Sequence, residues 1–273
     1  MQIRARIFSG APVVAAAIGL LKLDWHYGSG LVSGLVVCAL SLGAQAEFYG
    51  MAAKSGIQAR SFPGFVAGLA WLWWTIGADG PHPLHFLTGF LALLLIWEIL
   101  MGSTAEAPVR LGVTLLGWVA IPFLLAYVLL IRQMPEGWAW VVFLVAVCKT
   151  GDSVAWLVGN IWGRQKMAPE VSPNKTWEGA VGSLGGSLIA GWIVASVAFV
   201  SPPSTFIWIG AALVANFGGQ LGDLSESLLK RGFRTKHSAS LLPGLGGTFD
   251  MVDSFLLAGP FLYAFLYQLD LMG

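Results

Sequence analysis

The sequence predicts an all-α, polytopic integral membrane protein of about nine transmembrane helices with its N-terminus in the cytoplasm. Three observations carry this expectation. Of 273 residues, 56% are hydrophobic and 11% are charged, whereas a soluble domain carries about 25% charged residues. Segments 111–131, 179–200 and 205–222 contain no charge at all, and each is close to the roughly 20 apolar residues that cross a bilayer core of about 30 Å. With nine spans, twelve of the 15 Lys and Arg residues fall on the side of the N-terminus, as cytoplasmic segments require.

Taken in order, the first span is 8–23. Arg4 and Arg6 precede it, and Lys22 and Asp24 stand where a cleaved signal would need small residues, so it reads as a retained helix. The second, 30–52, and the third, 63–79, are apolar runs separated by a short segment holding Lys54 and Arg60. The fourth, 83–101, is bounded by Pro81, His82 and Pro83 and carries Glu98 near its end. The fifth is 111–131. The sixth, 137–161, contains Lys149 and Asp152. The charge-free runs 179–200 and 205–222 are the seventh and eighth, and 252–271 is the last.

This arrangement leaves 1–7, 53–62, 102–110, 162–178 and 223–251 inside. No solenoid repeat, low-complexity tract or long linker divides the chain, so residues 1–273 read as one membrane domain. The net charge of +1 offers no global basic field for nucleic acid. Cys38 and Cys148 have no His or Cys at ligand spacing, which suggests neither a disulfide framework nor a zinc site.

Polar residues concentrate in segments 149–178 and 216–253. In the first, Asp152 follows Lys149 by three residues and shares its helical face. The two can be read as a neutralising pair, or Asp152 as part of a polar cavity entered from the cytoplasm. Ser172, Asn174 and Lys175 immediately precede an apolar helix, where backbone N–H groups favour anions. This is either a phosphate cradle or an ordinary capped helix whose Lys reaches for the interface.

In the second segment, Asp223, Glu226 and Lys230 recur at helical spacing, followed by Arg231, Arg234 and Lys236. A glycine-rich turn, with Gly244, Gly246 and Gly247, leads to Asp250 and Asp253 on one face of the last span. Mg²⁺ typically takes one or two carboxylates plus substrate phosphates, which suits Asp223, Asp250 and Asp253 as metal ligands, with a second cation also conceivable. The alternative is that the two late aspartates serve the helix dipole. There is no GxxxxGK[ST] loop, no GxGxxG after a strand and no HExxH, so soluble nucleotide-binding and zinc-hydrolase designs are not indicated.

The stretch 227–253 resembles the signature of the bacterial CTP:phosphatidate cytidylyltransferases, or CDP-diacylglycerol synthases. Ser227, Lys230, Arg231, Lys236, Pro243, Gly246, Gly247, Asp250 and Asp253 fit that pattern at its spacing. His237 stands where the family has Asp, Leu245 where it has His, Met251 where it has Arg, and Thr248 replaces an apolar residue. Asp152-Ser153, the stretch SPNKTWEG at 172–179, GDLSES at 222–227 and Glu47-Phe48-Tyr49 are also similar to family segments.

The resemblance implies that CTP and phosphatidate give CDP-diacylglycerol and pyrophosphate, with Mg²⁺, at the cytoplasmic face of the bacterial inner membrane. It also implies a homodimer. On that reading Asp223, Asp250, Asp253 and Lys175 are catalytic. Asp152, Ser172, Asn174, Glu226, Lys230, Arg231, Lys236, Gly244, Gly246 and Gly247 then bind substrate. Two other readings remain at this stage. One is an ion-coupled transporter using Asp152, Asp223 and Glu226. The other is a related lipid nucleotidyltransferase or polyprenol kinase with another acceptor.

Overall fold

The computed structural model describes Gly19, Asp24 and residues 30–77, 83–101, 104–235 and 247–270. Nine α-helices account for most of them: α1 (Leu31–Lys54), α2 (Ser61–Ile76), α3 (Pro83–Met101), α4 (Ala107–Trp118), α5 (Leu124–Gln133), α6 (Gly137–Trp162), α7 (Trp177–Val197), α8 (Thr205–Gly232) and α9 (Thr248–Asp270). A π-helical turn, Val119–Phe123, joins α4 to α5. It contains Pro122, which has no N–H to give the ladder and clashes with the preceding turn, so the helix widens there.

Among the described residues seven helical segments are long and apolar enough to cross a membrane, with Ala107–Gln133 counted as one. The expected span 63–79 is the shorter helix α2, of 16 residues, about 24 Å long at 1.5 Å per residue. Gly77 leaves the helical region and ends it. The expected span 8–23 lies almost wholly outside the described residues. One element is not helical: β1 (Lys166–Ala168) and β2 (Ser172–Thr176) form an antiparallel hairpin within the segment 162–178.

The chain divides into two compact units, one made of Met1–Leu129 with Gly232–Met251, the other of Leu130–Arg231 with Val252–Gly273. In the first, Trp71 stacks on Phe123 and Phe86 on Trp118. Glu98, the charge that interrupts the apolar run of α3, is buried and answered twice. Arg60 Nε lies 2.7 Å from its Oε2, and the Arg110 guanidinium pairs with its Oε1. A buried carboxylate so matched is far less costly than a bare one.

In the second unit, small residues let helices approach closely. Gly179, Ser183, Ser187 and Gly191 recur every four residues on the buried face of α7, the small-residue spacing that favours helix contact in membranes. A Cβ on Gly151 of α6 would meet the hydroxyls of Ser187 and Ser183. Asn216 of α8, nearly fully buried, donates through Nδ2 to Ser183 Oγ at 2.6 Å and Ser187 Oγ at 2.7 Å, so the close approach also satisfies a buried amide.

Candidate active site

The functional side chains of the second unit come from four elements. Helix α6 carries Lys149 and Asp152, the hairpin carries Ser172, Asn174 and Lys175, α8 carries Asp223, Glu226, Lys230 and Arg231, and α9 carries Asp253.

The hairpin hands the chain directly to α7. Thr176 is the N-cap, and its Oγ1 accepts from Gly179 N at 3.1 Å, which satisfies one of the amides left open at a helix start. The expected cradle at this N-terminus is therefore partly filled by the chain's own hydroxyl. Lys175 turns instead toward α8. Its Nζ lies 2.9 Å from Asp223 Oδ2 and 3.4 Å from the carbonyl oxygen of Gln220. Ser172 is half-buried and Asn174 is exposed.

On α8, Asp223 and Glu226 are three residues apart and share a face. Together with Asp253 they offer three carboxylate oxygens within 4.8 Å of one another. Glu226 and Asp253 are buried, and Glu226 also pairs with Lys230 one turn on. The meeting of α8 with α9 depends on glycine: a Cβ on Gly222 would run into the carbonyl oxygen of Asp253, and one on Gly218 would lie 2.8 Å from Ala258 N. Ser254, buried beside Asp253, adds a link to α6. Its Oγ is 2.9 Å from Asp152 Oδ2 and 3.0 Å from Asp253 Oδ1. Asp152 is further placed 3.9 Å from Lys149. Arg231 is exposed and donates through Nε to Val171 O at 3.4 Å.

In the first unit, Asp250 accepts from Gly247 N at 3.0 Å. Glu47 of α1, buried inside an apolar run, accepts from Thr248 N at 2.6 Å and from Phe249 N at 2.9 Å. One carboxylate thus closes two of the open amides at the start of α9 and faces the positive end of its dipole. Lys236, Gly244 and Gly246 lie outside the described residues, as do His237 and Leu245.

The acidic group assembled in the structure thus contains Glu226, which the sequence reading assigns to substrate, next to Asp223 and Asp253. Asp250, which it assigns to metal, accepts from Gly247 N through one of its two oxygens. Glu47 and Ser254 have no role in that reading. The available signal for Glu47 is a carboxylate in the middle of an apolar run.

Three oxygen donors of this kind fit a hard divalent cation. Oxygens bound to one octahedral Mg²⁺ at about 2.0–2.1 Å lie about 3–4 Å apart, so a small closure of the group suffices. Lys175 and Lys230 supply positive charge at its edge.

Residues 4–269 match the family model described as "Cytidylyltransferase family". The chain belongs to the cytidylyltransferase family. Similar proteins named phosphatidate cytidylyltransferase occur in Bacillus subtilis, 34% identical over 76% of this chain and 79% of the relative. In Brucella abortus the identity is 33%, over 93% and 91%, and in Mycobacterium bovis it is 29%, over 92% and 85%. For a cytidylyltransferase, an acidic group flanked by lysines inside an apolar chain is a place where a triphosphate and its counter-ion can be held close to lipid.

Proposed function

We propose that this cytidylyltransferase transfers the cytidylyl group of CTP to phosphatidate at the cytoplasmic face of a bacterial inner membrane. The observation that carries the reading is the convergence of Asp223, Glu226 and Asp253 with Lys175 and Lys230 alongside, in a chain whose relatives bear that name. An oxygen of the phosphatidate phosphate attacks the α-phosphorus of CTP. The bond from that phosphorus to the bridging oxygen breaks, and pyrophosphate departs with the electron pair. CDP-diacylglycerol remains in the membrane. No protein nucleophile is needed, so the protein contributes position and charge neutralisation.

Asp223, Glu226 and Asp253 would hold Mg²⁺, which when bound neutralises charge on the triphosphate. Lys175, fixed by the hairpin and by Asp223, is placed to donate to a non-bridging phosphate oxygen. Lys230 and Arg231 add positive charge at the end of α8.

Purified protein given CTP, Mg²⁺ and phosphatidate should produce CDP-diacylglycerol and pyrophosphate. Transfer only to a different lipid phosphate, or no transfer at all, would overturn the reading. Orientation is tested in a variant lacking Cys38 and Cys148. A cysteine introduced at Glu170, in the hairpin turn, should resist a membrane-impermeant maleimide applied to intact cells, and efficient labelling would place the site outside.

A further inference from the structure

We propose that Lys149 binds the phosphate monoester of the lipid acceptor. The choice of phosphatidate as that acceptor rests on the function proposed above.

Lys149 sits midway along α6, inside a segment that crosses the membrane. An ammonium at that depth is costly and marks a functional site by default. Its Nζ stands 4.8 Å from the centroid of the Phe255 ring, within cation–π range. The nearest carboxylate oxygen among the described residues is Asp152 Oδ2 at 3.9 Å. That is close enough for attraction and too far for a hydrogen bond. Among the described residues no hydrogen bond takes a donor of the ammonium, and the side chain is 37% exposed.

The other lysines of the site are committed differently. Lys175 is on Asp223 and Lys230 is on Glu226, beside the carboxylates suited to a metal and a triphosphate. Lys149 borders the same acidic group, facing the charges of Asp253, Asp152 and Asp223, but forms a hydrogen bond with none of them. It also shares a helical face with Ser153, Trp156 and Leu157, four, seven and eight residues on, all of which are exposed. In a membrane-crossing helix an exposed Trp and Leu meet acyl chains. Lys149 thus stands where a bilayer-facing strip meets the acidic group. A ligand with a phosphate monoester of about −1.5 to −2 charge and two acyl chains fits that border, because the lysine can be reached from the lipid side of α6. Asp152 holds the ammonium in place without using its donors.

The test compares wild type, Lys149→Met and Lys149→Arg in nanodiscs, with dioleoyl phosphatidate and dioleoylglycerol as probes and native mass spectrometry as the binding readout. Methionine is apolar and suits the span, and retained dioleoylglycerol binding together with the arginine variant separates loss of the phosphate contact from loss of fold. The methionine variant should need about tenfold or more phosphatidate for half-saturation, while dioleoylglycerol is retained as in wild type and arginine restores binding. In the transfer assay KM for phosphatidate should rise, with KM for CTP within about threefold of wild type. Unchanged phosphatidate binding in Lys149→Met, an equal rise in KM for CTP, or displacement of phosphatidate from wild type by inorganic phosphate would overturn the assignment. If wild type binds phosphatidate through Lys149 but forms no CDP-diacylglycerol, the proposed reaction fails and the Lys149 site stands.

Discussion

Lys175 Nζ lies 2.9 Å from Asp223 Oδ2, joining the hairpin to the acidic turn of α8. The pair is half-exposed, so it contributes little to stability. Its value is in position, since the lysine is held at the edge of the carboxylate group. Replacing Lys175 with Ala should lower kcat/KM about 10²-fold or more, as for a contact that strengthens in the transition state. Steady-state kinetics would check this, and a change below threefold would mean that the lysine merely reaches toward the interface.

Asp253 and Asp250 should separate in their response to Mg²⁺. Asp253 belongs to the three-oxygen group, whereas Asp250 accepts from Gly247 N. Asp253→Asn should raise the Mg²⁺ needed for half-maximal transfer and lower turnover about 10²-fold or more. Asp250→Asn should weaken transfer with a smaller change in Mg²⁺ requirement. Titration of both variants decides, and identical Mg²⁺ curves would remove the distinction.

Hydropathy makes most helices legible because a bilayer forces their backbone bonds to close internally. It ends the eighth span at 222, however, where the charges begin. In the structure α8 continues to Gly232, because Asp223, Glu226 and Lys230 pair at helical spacing and with Lys175 rather than breaking the ladder. The hairpin has no such signature: β1 is three residues long and β2 contains Pro173, too little for an alternating pattern. Likewise, the company of Glu226 with Asp253 depends on Gly222 allowing two backbones to touch. That is a tertiary fact, and sequence spacing along either helix does not contain it.

Glu47 should be required for the start of α9. Glutamine at this position keeps the size but offers one acceptor to the two amides of Thr248 and Phe249, and it removes the anion from the helix N-terminus. The expected loss is about 1–2 kcal/mol, read as a lower Tm in detergent. Hydrogen exchange at the Thr248 and Phe249 amides should quicken, and unchanged protection there would sink the argument.

The protein should be active as it stands, despite His237, Leu245 and Met251 at positions where the family signature has Asp, His and Arg. Met251 is half-buried, and its amide donates to Gly247 O at 3.2 Å, so the turn of helix that bears it is formed without an arginine. The charge balance also survives. Lys175, Lys230 and Arg231 remain in the unit that holds the acidic group, with a divalent ion, to meet the triphosphate and a headgroup of about −1.5 to −2. His237 removes the anion that the family signature has there, which offsets the cation absent at Met251. Wild type, Leu245→His, Met251→Arg and the double variant should therefore all move label from CTP into lipid, with the restored arginine chiefly lowering KM for CTP. If wild type is inert while the restored variants turn over, the chain is a degenerate relative and the proposed activity is wrong.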